Sequence, residues 1–282
     1  MLEKISVFAA DIDGTLAIKG GDLMPKTRAA MQKFHDEGVL VGIASGRPMD
    51  KNTIGKAKDW NLGFEFDFAI GMNGGDLWTK GRDEIEHFYQ LPVDSIRQIV
   101  EFLMPYDCNI IIYERAYEMI RAKRMDAFLR DSQKRNRSHV EIGDIDFLCA
   151  NPTGKIEVHC LPELEDEILA KAAAFGDVDW HTVITFRTDD HVTIEFQDKR
   201  VNKGLALENY AKEVNIPLDE VIAFGDLDND IGLLEKAGWG VCLINGSDAT
   251  KAVAQDITEY DVWSDGVGRY LEKNWFKTTL TE

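Results

Sequence analysis

In "VFAADIDGTLA", residues 7–17, an apolar run ends on two aspartates one residue apart, Asp11 and Asp13, with Gly14 and Thr15 directly behind them. A second acidic cluster, "FGDLDND", sets Asp226, Asp228, Asn229 and Asp230 behind another apolar run. Between the two lie Ser45 in "IASGRP", Asn73 in "GMNGG" and Lys203 at the start of "NKGLALENY". Carboxylates gathered in one place repel, so a cation is their natural counterpart. An oxygen donor set with neither Cys nor His in the motif favours a hard ion, Mg²⁺ first. With a metal and paired carboxylates, phosphoryl transfer is the leading chemistry. One ionised aspartate attacks phosphorus and becomes an aspartyl phosphate; the other protonates the leaving oxygen and later takes a proton from water. The metal and a lysine such as Lys203 would neutralise charge on the transferring group.

Two other chemistries fit less well. Asp226, Asp228 and Asp230 match the first three ligand spacings of a calcium loop, but Ile231 and Ala237 stand where that loop needs Gly and Glu. No G-x-x-x-x-G-K-[ST] occurs, which removes a P-loop nucleotide enzyme.

These groups converge only if the strands that carry them are parallel and end on one edge, where α/β sheets collect ligands. The chain supplies that grammar. "ISVFAA", "VLVGIAS" and "FDFAIGM" read as strands without strict alternation, separated by the helical stretches "MPKTRAAMQKFHDEG" and "MDKNTIGKAKDWNL". From about residue 85 to 190 the pattern shifts to helices mixed with alternating runs such as "NIIIYERAYEMI", "GKIEVHC" and "HTVITFR", the mark of an antiparallel sheet. "HVTIEF", the helix "NKGLALENYAKEVN" and the strand "EVIAFGD" then restore the α/β rhythm. The expected fold is a Rossmann-like α/β core with a parallel sheet, residues 1–85 and 189–282, interrupted by an α+β domain at 86–188.

The net charge of −18 argues against general affinity for nucleic acid or anionic membrane. One basic island, Arg115 to Arg137, holds eight Lys/Arg against three acids; it reads as a solvated helix face or as a local attractor for an anionic substrate. Cys108, Cys149, Cys160 and Cys242 are too scattered for a C-x-x-C motif and read as free thiols of a reducing compartment. No run approaches the roughly twenty apolar residues of a membrane span, nor does the N-terminus read as a signal peptide. A soluble cytoplasmic protein, monomeric or a small homo-oligomer, is expected.

Taken in order, "DIDGT", "ASGR", "NKG" and "FGDLDND" resemble the four motifs of haloacid dehalogenase-like phosphatases, nearest to the Cof-type branch with a large α+β cap (the C2B class). "MNGG" resembles that branch's asparagine-glycine loop, and "SDGVGRYLEK" its C-terminal segment. The resemblance implies Asp11 as nucleophile and metal ligand, and Asp13 as acid/base that binds metal through its backbone carbonyl. It implies Ser45 and Lys203 on the phosphoryl oxygens, Asp226 as the third metal ligand, and Asn229 and Asp230 in support of the metal and phosphate. Asn73 and Gly74 would sit at the substrate or phosphate. "QDKRVNKG" lacks the family's usual glycine and offers Lys199 as a rival to Lys203, and "GVCLINGSD" departs from the family pattern around Asn245. Arg47 reads as a structural ion pair; Trp180, His181 and Arg187 are candidate leaving-group contacts. The implied activity is Mg²⁺-dependent hydrolysis of a small phosphorylated metabolite, a sugar phosphate first. A phosphomutase of the phosphomannomutase type, or a non-catalytic phosphometabolite sensor, are the alternatives.

Overall fold

The computed structural model describes residues 2–18, 21–115 and 118–276. The first segment runs β1 (Val7–Ala10), α1 (Pro25–Asp36), β2 (Leu40–Ala44), α2 (Lys51–Ile54), α3 (Lys56–Asp59), β3 (Phe68–Gly71), β4 (Asp76–Thr79) and β5 (Glu86–His87). The stretch expected as one helix over "MDKNTIGKAKDWNL" breaks at Gly55 into two single turns, α2 and α3.

The chain then builds the inserted domain: α4 (Val93–Leu103), β6 (Asn109–Arg115), β7 (Met119–Ala122), α5 (Ala127–Asn136), β8 (His139–Ile142) and α6 (Ile145–Leu148). β9 (Lys155–Cys160), α7 (Glu165–Ala173), β10 (Trp180–Arg187) and β11 (Val192–Asp198) complete it. The last segment comprises α8 (Lys203–Glu213), β12 (Val221–Gly225), α9 (Ile231–Lys236), β13 (Trp239–Cys242), α10 (Asp248–Val253), β14 (Asp256–Ile257) and α11 (Gly266–Asn274).

The core sheet has the order β14-β13-β12-β1-β2-β3-β4-β5. From β14 through β3 every pairing is parallel, and β4 returns antiparallel on β3. β1, β3 and β12 are buried along their whole lengths, which explains their unbroken apolar runs. Phe8 and Ala10 join Met31 and Phe34 of α1, Phe224 of β12 and Leu271 of α11 in one hydrophobic core. Asp265, just before α11, accepts from the backbone N–H groups of Lys26 (2.6 Å) and Thr27 (2.9 Å), so "SDGVG" caps α1. Ala10 pairs with Phe224 and with Ile43. The residues just beyond these strands, Asp11, Ser45 and Asp226, therefore emerge on one edge.

The inserted domain holds a six-stranded sheet, order β10-β11-β9-β6-β7-β8, antiparallel except for the β7–β8 pair. Alternation divides its faces. Ile110, Ile112, Ile156, Val158, Ile194 and Phe196 pack with Ile96, Ile99, Val100 and Leu103 of α4 and Ile168 of α7. The other face carries Lys155, Glu157 and His159 of β9 beside Glu195 of β11. Lys155 pairs with Glu195 and lies 3.8 Å from Glu157, which also takes the Tyr113 hydroxyl (3.0 Å) and His159 Nε2 (2.6 Å).

The structure divides the chain at 86/87 and 201/202. The second crossing lies further on than the expected 188/189. "HVTIEF", expected in the core, lies as β11 between β10 and β9 in the inserted sheet. All seven β11 residues are buried, and a strand buried on both faces reads the same in either kind of sheet.

Candidate active site

Asp11 follows β1, and its backbone N–H donates to Phe224 O (3.0 Å), carrying the parallel ladder one step past the strand. Its carboxylate meets Lys203, whose Nζ donates to Asp11 Oδ1 and to Asp230 Oδ1, each at 2.6 Å. The Lys203 side chain is wholly buried. Asp230 is committed on its other oxygen too, since Oδ2 accepts from the backbone N–H groups of Asp226 (2.9 Å) and Leu227 (3.2 Å). Asp226 Oδ1 accepts from the Thr15 hydroxyl at 2.7 Å. Oxygens of Asp11, Asp226 and Asp230, all three buried, lie within 4.8 Å of one another.

Two glycines make this proximity possible. Gly14 has φ +98°, and a Cβ there would fall 2.3 Å from Asp226 Oδ2. Gly74 has φ +107°, and a Cβ would fall 2.1 Å from Asn202 O and 2.8 Å from Lys203 N. The "MNGG" loop thus packs on the start of α8, where Asn202 caps the helix by accepting from Leu205 N (2.8 Å). Met72 and Asn73 both take left-handed backbone conformations, an arrangement that non-glycine residues adopt at a cost. It turns Asn73 so that its N–H reaches Ser45 O (3.1 Å) and its Oδ1 accepts from Asn229 Nδ2 (3.0 Å).

Asp13 stands apart from the acidic trio. Arg47 Nε donates to its Oδ2 (2.9 Å) and Nη2 to its Oδ1 (2.7 Å). The ion pair expected of Arg47 therefore has Asp13 as its partner. Asn245 is a strut, donating to Gly14 O (3.0 Å) and accepting from Val262 N (3.0 Å). Lys199 lies in the inserted domain, paired with Asp177 (3.0 Å) and Asp179 (3.8 Å); the buried lysine at the aspartates is Lys203.

Other candidates belong to the inserted domain's own architecture. Trp180 is buried in that domain's core, edge-on to Phe175 and Phe196, with its indole N–H on Gln98 (3.2 Å). Of the two readings open for Trp180, an ordinary packing residue or a leaving-group contact, its burial favours the first. Arg187 is held by Glu165 and His181 by Gln197. In the basic island, Lys123 donates to the carbonyls of Met104 and Tyr106, buried Arg121 to that of Phe147, and Arg124 pairs with Asp107. Much of that charge is consumed internally. Sequence reasoning missed Thr15 as the hydroxyl on Asp226; its place directly after the D-x-D-G turn was the available signal.

Electrostatics set this cluster apart. Burial, then the neighbouring aspartates against the pull of Lys203, lifts Asp11 well above the usual carboxylate range. Burial and Asp230 raise Asp226 likewise. Burial opposes the charge on Lys203, but Asp11 and Asp230 outweigh it and hold the ammonium firmly protonated. Three carboxylates face one ammonium, all donors are oxygen, and among the described residues Asp226 Oδ2 accepts no hydrogen bond. Those features fit a hard divalent cation held by Asp11 and Asp226, with Asp230 orienting them.

The profile for haloacid dehalogenase-like hydrolases matches residues 8–271. The 5-amino-6-(5-phospho-D-ribitylamino)uracil phosphatase YitU of Bacillus subtilis is 27% identical over 277 residues, covering 97% of this chain and 98% of that protein. A haloacid dehalogenase-like hydrolase from Bacteroides thetaiotaomicron superposes with a TM-score of 0.79 at 21% identity, over 96% of this chain and 99% of that one. The subclass IIB sugar phosphatase BT4131 gives 0.77 at 20% identity, over 95% and 98%. With a profile match spanning nearly its whole length, the chain belongs to the haloacid dehalogenase-like hydrolases.

Proposed function

We propose that this phosphatase hydrolyses small phosphorylated metabolites, sugar or polyol phosphates first, with Mg²⁺ as cofactor and Asp11 as nucleophile. The observation that carries the reading is the buried ammonium of Lys203 shared at 2.6 Å between Asp11 and Asp230. It fixes the Asp11 side chain through one oxygen, and among the described residues the other oxygen has no hydrogen-bond partner. That oxygen is the one assigned to attack phosphorus, as the bond to the leaving oxygen breaks and Asp13 supplies its proton. Lys203 and the Ser45 hydroxyl are assigned to the phosphoryl oxygens, with Asn73 and Asn229 beside them. Asp13 then takes a proton from the water that releases phosphate from Asp11. Bound Mg²⁺ would neutralise charge on the phosphoryl group as it transfers.

Support for the substrate class comes from the YitU relative, whose name gives it a phosphorylated ribityl chain as substrate. Selection among leaving groups is assigned to the inserted domain, by residues other than Trp180. Phosphate release across a panel of sugar, polyol and aryl phosphates, with Mg²⁺ and with chelator, tests the proposal. Turnover that needs Mg²⁺ and favours sugar or polyol phosphates supports it. Phosphoryl return to a bisphosphate without free phosphate would make the enzyme a mutase, and no turnover at all would make it a binding protein.

A further inference from the structure

We infer that Arg47 is a positioning residue for Asp13, acting on proton transfer to the leaving group and not on the phosphoryl group. This rests on the assignment of Asp13 as acid/base. The two side chains are only partly buried, 26% and 28% exposed, and an ordinary ion pair at that exposure contributes little. This pair is of another kind. Nε and Nη2 of one guanidinium engage the two oxygens of one carboxylate at 2.9 and 2.7 Å, a fork-to-fork geometry that fixes the plane and the torsion of the carboxylate together. Each carboxylate oxygen keeps a second lone pair, so the clamp orients Asp13 without closing it to a proton.

The clamp is itself anchored to the site. Arg47 N donates to Ser45 Oγ (3.2 Å), and Arg47 O accepts from Met72 N (2.9 Å). Arg47 is thereby tied to the residue assigned to the phosphoryl oxygens and to the strained loop that carries Asn73. A shift of either would pass through Arg47 to Asp13. The backbone of Asp13 is itself fixed in the turn after β1, bridged to Ala17 and flanked by the bonds from Gly14 N to Ala17 O (2.8 Å) and from Ala17 N to Ile12 O (2.9 Å), so Arg47 has only the side chain to orient.

The test compares Arg47→Met, Arg47→Lys and Asp13→Asn on an alkyl phosphate and on p-nitrophenyl phosphate, reading kcat/KM for enzyme phosphorylation and the inhibition constant of inorganic phosphate. An alkoxide needs a proton to leave and nitrophenolate does not. Arg47→Met should therefore slow the alkyl substrate about tenfold to a hundredfold, and the aryl substrate less than about threefold. Phosphate inhibition should not change. Arg47→Lys should rescue little, because an ammonium restores the charge but not the fork. Combined with Asp13→Asn, Arg47→Met should add nothing further, the non-additivity of two residues acting as one unit. Equal loss on both substrates, weaker phosphate inhibition and full additivity would place Arg47 on the phosphoryl group and overturn the inference. Full rescue by lysine would reduce its role to charge and overturn it as well. If Asp13→Asn itself shows no leaving-group dependence, the acid/base assignment fails first, and a leaving-group effect in Asp13→Asn alone rejects only the role of Arg47.

Discussion

Each domain buries a cluster of charges, and the two are resolved in opposite ways. On the inserted sheet, Glu157 and Glu195 surround Lys155, and Glu157 also gathers the Tyr113 hydroxyl and His159. Burial would raise Glu157, but His159, Lys155 and Tyr113 outweigh it and draw it down to about 2. In the core, three aspartates lie around one lysine that bonds only Asp11 and Asp230, and Asp11 and Asp226 are both pushed upward. A buried network with its partners in place serves the fold. One left short of positive charge is poised for something the protein does not itself supply. The distinction separates a site from a structural cluster where counting charged residues would not.

The sharpest break in that comparison is Asp11→Asn, which should lower turnover by at least about 10⁴-fold with the fold intact, because an amide is a poor nucleophile and a poor metal ligand. Phosphate release by a contaminant-free preparation checks it, and retention of a few per cent activity would reject the covalent route. Next comes Lys155→Met, which removes the buried ammonium from beside Glu195 and Glu157 and should cost about 3–5 kcal/mol of stability, read from denaturant unfolding. A negligible cost would mean the inserted cluster is not balanced from within.

Exchange of Mg²⁺ for Ca²⁺ should follow, reducing turnover about tenfold or more, since Ca²⁺ accepts more ligands and readily takes both oxygens of a carboxylate. Comparable rates with the two ions would count against the assignment of Mg²⁺. Smaller still is the effect of pH on the melting temperature of the metal-free protein. Folded Asp11 and Asp226 hold protons that the unfolded chain releases from about pH 4 upward. The contribution of each is complete below that point and lost as pH rises through its raised folded value, about 7 for Asp226. Glu157 has the opposite sign, its contribution being lost only as pH falls through about 2. The metal-free melting temperature should decline by a few degrees between these carboxylate limits and near neutrality. Asp226→Asn, which keeps an acceptor for Thr15, should flatten that slope, and an unchanged slope would mean that the core carboxylates are not strained.

Much of this was legible in the sequence, for identifiable reasons. Apolar runs that stop at Asp11, Ser45 and Asp226 declare buried parallel strands and place their next residues on one edge. Lys203 was separable from Lys199 by motif order, and the structure shows the physical difference as burial against exposure. Partners were less legible. That Asn229 reaches Asn73 depends on left-handed turns at Met72 and Asn73, the first at a residue type that rarely takes them, and no local pattern announces that Arg47 reaches Asp13. The assignment of β11 failed because burial on both faces erases the alternation that marks a sheet with one open face. Trp180 stayed open between packing and ligand contact for a similar reason, since an aromatic residue beside a histidine looks the same whether it fills a core or faces a ligand.

The most direct test of the charge-deficient core is a calorimetric titration of the chelator-stripped protein with Mg²⁺ near pH 6, repeated in buffers of different ionisation enthalpy. The account predicts a single binding event per chain that releases protons from Asp11 and Asp226 and disappears in Asp226→Asn, while Lys155→Met, if folded, retains it. Mg²⁺ binding without proton release, or binding that survives Asp226→Asn unchanged, would contradict it.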